Sequence, residues 1–322
     1  MPGNPLVNIF AEPDPHRHAG ARRKIAAAYS MTSLVQMEPF VDDCSAVLKA
    51  RLEQFAGSGT AIDVSHWMQC YAFDVIGKLT VRAAEPRRYK TRVFLTQCQV
   101  GDRFGFLDSG EDIQGIMSSL SQWLTYCARM GIFPEWHKSL FHWLMGSNKM
   151  SGLLHIQRFA GKRLEEKYEK VLRPDGNPVD PMAPVDLITK LMRIQDESPE
   201  KIGKADIGSA CMMNIGAGSD TTSISLSSVL FHLLKHPKTL GRLRDEIKDC
   251  EKRGEISEPA KFSETQRMPY LQAVIKEALR MHPATGLTLG RTVPPQGAVL
   301  AGHFFPGGVC CDTCNDIRAI TY

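Results

Sequence analysis

Between Ile207 and Leu234 the chain carries one formal charge, Asp220, and this long uncharged run constrains the fold more than any other feature of the sequence. Flanked by Asp206 and Lys235, it reads as a single long helix. In a bilayer it would hold an ionised acid near the membrane centre at a cost of roughly 2.5–3.5 kcal/mol, and its Ser, Thr, Asn and Gly residues add to the penalty. A helix that is apolar on every side is otherwise buried inside a large protein. With 322 residues, 43% of them hydrophobic, the chain is long enough to bury it.

The middle of that helix, "NIGAGSDTTSISL" from 214 to 226, is chemically out of place. Gly216 and Gly218 each cost a helix interior about 1 kcal/mol relative to Ala, and Asp220, Thr221 and Thr222 are mediocre helix formers. Tertiary structure must impose the helix here. The Thr221 hydroxyl can reach the carbonyl of Ala217, four residues back, and bend or open the ladder. With nothing larger than a methyl at 216–218, either a flat ligand or a crossing helix can approach the backbone closely.

Elsewhere helical periodicity dominates up to about residue 282. Val41, Cys44, Leu48, Leu52 and Phe55 recur at spacings of three and four within 34–56, and Trp67, Tyr71, Val75 and Leu79 do so within 63–79, where Asp63 is the expected N-cap. Further helices are expected at 113–130, 136–146, 151–172, 185–195, 238–252 and 269–281. The four prolines of "RPDGNPVDPMAP" (173–184) mark a loop, and after His282-Pro283 short strands and turns take over. The fold class is therefore mainly α with a small β part. A net charge of +4, spread without basic blocks, gives no reason to expect a nucleic-acid partner. Nine cysteines at irregular spacings and an N-terminus without a signal-peptide pattern are those of a reduced, intracellular chain. Cys311-x-x-Cys314, with Cys310 and His303, has no second Cys pair and is a weak zinc signal.

Three motifs in order resemble one family. Ala217-Gly218-Ser219-Asp220-Thr221-Thr222 is similar to the Ala/Gly-Gly-x-Asp/Glu-Thr-Thr/Ser motif in the long central helix of cytochrome P-450, the heme-thiolate monooxygenases. Glu277-x-x-Arg280, followed by His282-Pro283, resembles the family's Glu-x-x-Arg helix, which braces the heme-binding core; by spacing alone it is a solvated i,i+3 ion pair beside a buried arc of Leu271, Val274, Ile275 and Ala278. His18-x-x-x-Arg22 resembles the Trp/His-x-x-x-Arg of the helix facing the heme propionates. "AFDVIGKLTV" (72–81) and "GRTVPPQGAVLAGHFFPGG" (290–308) are also similar to family segments, and the resemblance is nearest to fungal microsomal members, pisatin demethylase-like enzymes among them.

The resemblance implies a P-450-like fold, a heme b cofactor, an NADPH-dependent reductase as electron donor, and oxygenation of a lipophilic small molecule in fungal secondary metabolism, at the endoplasmic reticulum membrane for a full-length member. It assigns proton relay to Asp220 and Thr221, heme contacts to His18, Arg22, Ala217, Gly218 and Arg291, and a structural pair to Glu277 and Arg280. One family element is not found among the 322 residues: the loop Phe-x-x-Gly-x-x-x-Cys-x-Gly that supplies the axial thiolate. Phe305-x-x-Gly308 begins such a pattern, but Asp312 stands at the cysteine position. The expectation is an incomplete P-450 domain over 1–308 with an unrelated tail over 309–322, lacking the N-terminal anchor, cytoplasmic as it stands and inactive. A non-catalytic pseudoenzyme or interaction protein is the alternative.

Overall fold

The computed structural model describes residues 9, 10, 12, 14–81, 103–146, 151–172, 185–286 and 289–313. The proline-rich segment 173–184 and Cys314 lie outside these residues. The first half of the chain forms α1 Pro15–Ile25, α2 Met31–Val35, α3 Glu38–Ser58, α4 Val64–Thr80, α5 Phe106–Ser109, α6 Ile116–Met130 and α7 Pro134–Gly146. Then come α8 Ser151–Leu172, α9 Leu187–Glu197, α10 Lys204–Gly218, α11 Asp220–Lys235, α12 Pro237–Lys252, α13 Phe262–Thr265 and α14 Pro269–Met281. Four short strands follow, β1 Leu289–Thr292, β2 Ala298–Leu300, β3 His303–Phe305 and β4 Cys310–Thr313, paired antiparallel as β1 with β4 and β2 with β3. The mainly α architecture with a small β part is the one expected. The domain boundary expected at Gly308 falls between β3 and β4.

Local chemistry explains the helix ends. Asp63 Oδ1 accepts from the amides of Ser65 and His66 (2.9 and 3.2 Å), the N-cap read from the sequence. Asp186 caps α9 by accepting from Thr189 N, so that helix begins at Leu187 rather than 185. The helix expected from 113 begins at Ile116, because Gln114 (φ 57°) and Gly115 (φ 70°) are left-handed and interrupt it. The long segment 206–235 is two helices, interrupted at Ser219. Among the described residues no helix is long and apolar enough to cross a membrane.

The chain divides into two compact units, 1–223 and 224–322, with the division inside α11. In the first, α4 lies against α3, α5, α9 and α10, while α8 packs on α6 and α10. Phe73, Phe106, Leu107, Ile116, Ile188, Leu191, Ile207 and Ile215 are among its core side chains. Asp74, fully buried on α4, accepts from the amides of Gly105, Phe106 and Leu107 at 2.8, 3.2 and 2.9 Å and so anchors the start of α5. One turn on, Lys78 pairs with Asp43 of α3, and the buried Arg103 guanidinium bridges Asp43 and Asp108.

In the second unit Leu233, Leu243 and Val274 form a small core with Leu240, Ile247 and Leu271 around them. Glu246 of α12 accepts from the Tyr270 and Leu271 amides, both at 2.8 Å, which places an acid at the positive end of α14. Of the arc expected to be buried on α14, Val274 and Ala278 are buried and Leu271 is packed on the core, but Ile275 is 36% exposed, because it lies at the rim of that small core.

Replacing Asp74 by Ala strands three amides at the start of α5. The Asp74→Ala chain is expected to unfold at lower urea concentration, with a loss of about 3 kcal/mol. A midpoint equal to wild type would show that those amides find other acceptors.

Candidate functional site

The interruption between α10 and α11 is closed by hydroxyls. Ser219 remains right-handed (φ −85°, ψ −62°), and its Oγ donates to Ile215 O at 3.4 Å. Thr221 Oγ1 donates to Ala217 O at 2.9 Å, the back-bond foreseen from the sequence, and Ser223 Oγ donates to Asp220 O at 2.9 Å. The ladder resumes with Ser223 N to Ser219 O at 3.0 Å. Each hydroxyl occupies a carbonyl near the break, so a locally opened helix keeps its acceptors satisfied.

The two sides of the break differ. Ser219 and Ser223 are buried, whereas Ala217 and Thr221 are exposed. A Cβ built on Gly216 would meet nothing within 4 Å, but one on Gly218 would come within 2.6 Å of Ile76 Cγ1 on α4. Of the two uses foreseen for small residues, the crossing helix is met at Gly218, while Gly216 and Ala217 present an open face. Gly218, expected beside Ala217 on a ligand-facing side, has its missing side chain toward α4.

Asp220 is half-buried and accepts from Gln69 Nε2 of α4 at 2.6 Å. Burial pushes its carboxyl above the ordinary range, and the Gln69 bond offsets part of that rise. Gln69 stands 151 residues earlier in the chain and carried no local signal that would pair it with Asp220.

His18, half-buried, and Arg22, exposed, sit one turn apart on α1, whose N-terminus is capped by Asp14. Lys24 pairs with Asp206 at 3.0 Å and Tyr29 Oη donates to Asn214 Oδ1 at 3.0 Å, so the segment holding Arg22 is tied to the helix that ends at the break. The second unit holds the remaining candidates. Arg280 donates to Glu277 through Nε (2.7 Å) and Nη2 (2.6 Å), a two-bond fork that holds the Glu277 carboxyl below its ordinary range. Arg291 is on β1, opposite Cys311 of β4.

Cys44, Cys70 and Cys211 are buried, and burial pushes their thiols up to about 12, which makes them packing residues rather than thiolates. Among the described residues no group of three or more His, Cys, Asp or Glu side chains is placed to hold a metal ion.

Comparison with known proteins identifies the family. A sequence model of the cytochrome P450 family matches residues 6–313. The chain belongs to the cytochrome P450 family. It is 34% identical over 308 residues to a pisatin demethylase of Fusarium vanettenii, covering 94% of this chain and 53% of that protein. It is 34% identical over 313 residues to a cytochrome P450 monooxygenase of Aspergillus terreus (95% and 58%), and 33% identical over 323 residues to a second Fusarium vanettenii pisatin demethylase (96% and 55%). The chain thus spans between 53% and 58% of the length of these relatives. Membership of this family implies a heme cofactor.

Two outcomes follow from the asymmetry of the break. Gly218→Ala should destabilise the chain by about 1–3 kcal/mol, because Ile76 must move, while Gly216→Ala should be neutral or stabilising by up to about 1 kcal/mol; equal effects in urea denaturation would contradict the packing. Asp220 binds its proton more tightly folded than unfolded. Its contribution to stability is therefore present below the ordinary carboxylate range and is lost as pH rises through the folded-state value. Asp220→Asn, neutral at every pH, should gain stability relative to wild type as pH is raised from about 3.5 to about 7, measured by denaturation across that range; a constant difference would contradict it.

Proposed function

We propose that residues 1–322 form the substrate-side part of a heme-dependent monooxygenase acting on a lipophilic small molecule, with the break between α10 and α11 as its distal wall. The observation that carries this reading is the open face of Gly216, Ala217 and Thr221, backed by a hydroxyl-bonded interruption of a buried helix. A face with no side chain larger than a methyl at 216 and 217 suits a flat macrocycle. When bound, the heme supplies oxygen activation, the chemistry that membership of the family implies.

The chain's own residues would do the rest. Thr221 donates to Ala217 O, and a hydroxyl that donates still accepts through its lone pairs, so Thr221 can hold a water at the wall. Asp220, next in the chain and partly desolvated, carries a proton at higher pH than a solvated acid does and can release it toward that water, a positioned acid–base role. Arg22 offers a planar fork to a propionate carboxylate, with His18 one turn before it on α1, and Arg291 is the second candidate of that kind. Glu277 and Arg280, already joined by two bonds, brace α14. Electrons would come from an NADPH-dependent reductase, at the endoplasmic reticulum membrane. A relative carries the name pisatin demethylase, and the lipophilic small molecule proposed here is the substrate class that the family resemblance implies.

Asp312 stands where the pattern begun at Phe305-x-x-Gly308 calls for a cysteine, and this is the observation behind a second, non-catalytic reading. Heme titration with reduced, carbon monoxide-difference spectroscopy separates the two. The chain is expected to take up heme, and Arg22→Ala to weaken uptake about three- to tenfold. The thiolate-shifted band should appear only when the polypeptide also carries a Phe-x-x-Gly-x-x-x-Cys loop. A shifted band from the 322 residues alone would overturn the non-catalytic reading, and absence of heme uptake from both polypeptides would overturn the monooxygenase reading.

A further inference from the structure

We infer that Gln69 is the positioning residue of Asp220, an amide that holds the acid in both its protonated and its ionised form. The inference rests on the proton-transfer reading of Asp220 given above, and on a contact that this reading did not use. Gln69 lies on α4, half-buried between the buried Met68 and Cys70, and its Nε2 stands 2.6 Å from Asp220 Oδ1. Asp220 begins α11 at the point where the helix is interrupted.

A side-chain amide is suited to this place because one group carries both a donor and an acceptor. Toward an ionised carboxylate it presents its N–H, as here. Toward a carboxylic acid, a half-turn of the amide presents its carbonyl to the acid's O–H at about the same separation. The acid can then lose and regain a proton without losing its partner or its place. A lysine at 69 would favour only the anion, a leucine would hold neither form, and a glutamate would share a single proton with Asp220.

The surroundings leave this role to Gln69. On α4 the other titratable groups are His66, Cys70, Tyr71, Asp74 and Lys78. His66 faces Gly110 O, Tyr71 faces Ser45 Oγ, Asp74 is taken up by three amides, and Lys78 by Asp43. On α10 the charged groups, Lys204 and Asp206, are at the opposite end of the helix from the break, and on α11 the next titratable side chain is His232. None of them contributes to the shift of Asp220, which is set by burial and by Gln69.

The test is the titration of the Asp220 carboxyl carbon by NMR in the full 322-residue chain, assigned with Asp220→Asn, for wild type, Gln69→Leu and Gln69→Glu. In Gln69→Leu the midpoint should rise by about half to one pH unit, because the anion loses a charge-assisted bond and the acid only the weaker neutral one. The isosteric Gln69→Glu should raise it further, because two carboxyls at hydrogen-bond distance do not both ionise. If the Gln69 amide did not meet the Asp220 carboxyl while it titrates, Gln69→Leu could change the melting temperature and leave the midpoints alone. Equal midpoints in the three chains would overturn the assignment, and Gln69→Glu, which keeps the side chain's shape, decides it if Gln69→Leu does not fold. Because the readout needs neither heme nor turnover, a failure of heme uptake would overturn the functional reading and leave the ordered midpoints standing. Equal midpoints would leave heme uptake untouched.

Discussion

The close crossing of α10 and α4 at Gly218 and Ile76 is the contact on which the site depends. A side chain at 218 would hold the two helices apart, and Asp220, two residues on, would then lose its approach to Gln69. α4 also makes further long-range attachments in the first unit. Gly77 lies under the Phe104 ring, Asp74 anchors α5, and Lys78 reaches Asp43 of α3. α4 is thus the support against which a helix with poor intrinsic propensity is kept in place.

That support explains how an interruption survives in the middle of a buried helix. Two glycines, an aspartate and a run of threonines and serines make an isolated helix marginal, and their hydroxyls compete for its carbonyls. Packed against α4 and α8, the same residues become the means of closing the break. Ser219, Thr221 and Ser223 each donate to a carbonyl within four residues. The buried side satisfies the fold, and the side at Gly216, Ala217 and Thr221 stays open. On the proposed reading, local cost and function coincide in one turn.

How much of this was legible depended on distance along the chain. The helices of strong period, the Asp63 cap, the Thr221 back-bond and the Glu277–Arg280 pair all follow from residues within four positions of one another. The left-handed Gln114 and Gly115 shortened one expected helix, and the small size of the second unit's core left Ile275 at its rim. The different neighbours of Gly216 and Gly218 are invisible locally, since both read as the same gap in a helix; only the arrival of α4 distinguishes them. Gln69 is the clearest case, an unremarked amide until a partner from the far end of the unit comes to 2.6 Å. Membership of the cytochrome P450 family was readable because several short motifs occur in the family's order along the chain.

The central claim is that the open side of the break is a heme-facing wall. Ferric heme is paramagnetic, so its addition to the methyl-labelled chain reports proximity directly. The account predicts that the Ala217 and Thr221 methyl signals broaden early and strongly, while that of Ile76, on the opposite side of the crossing, is less affected. Heme that binds while Ala217 and Thr221 stay sharp would contradict it.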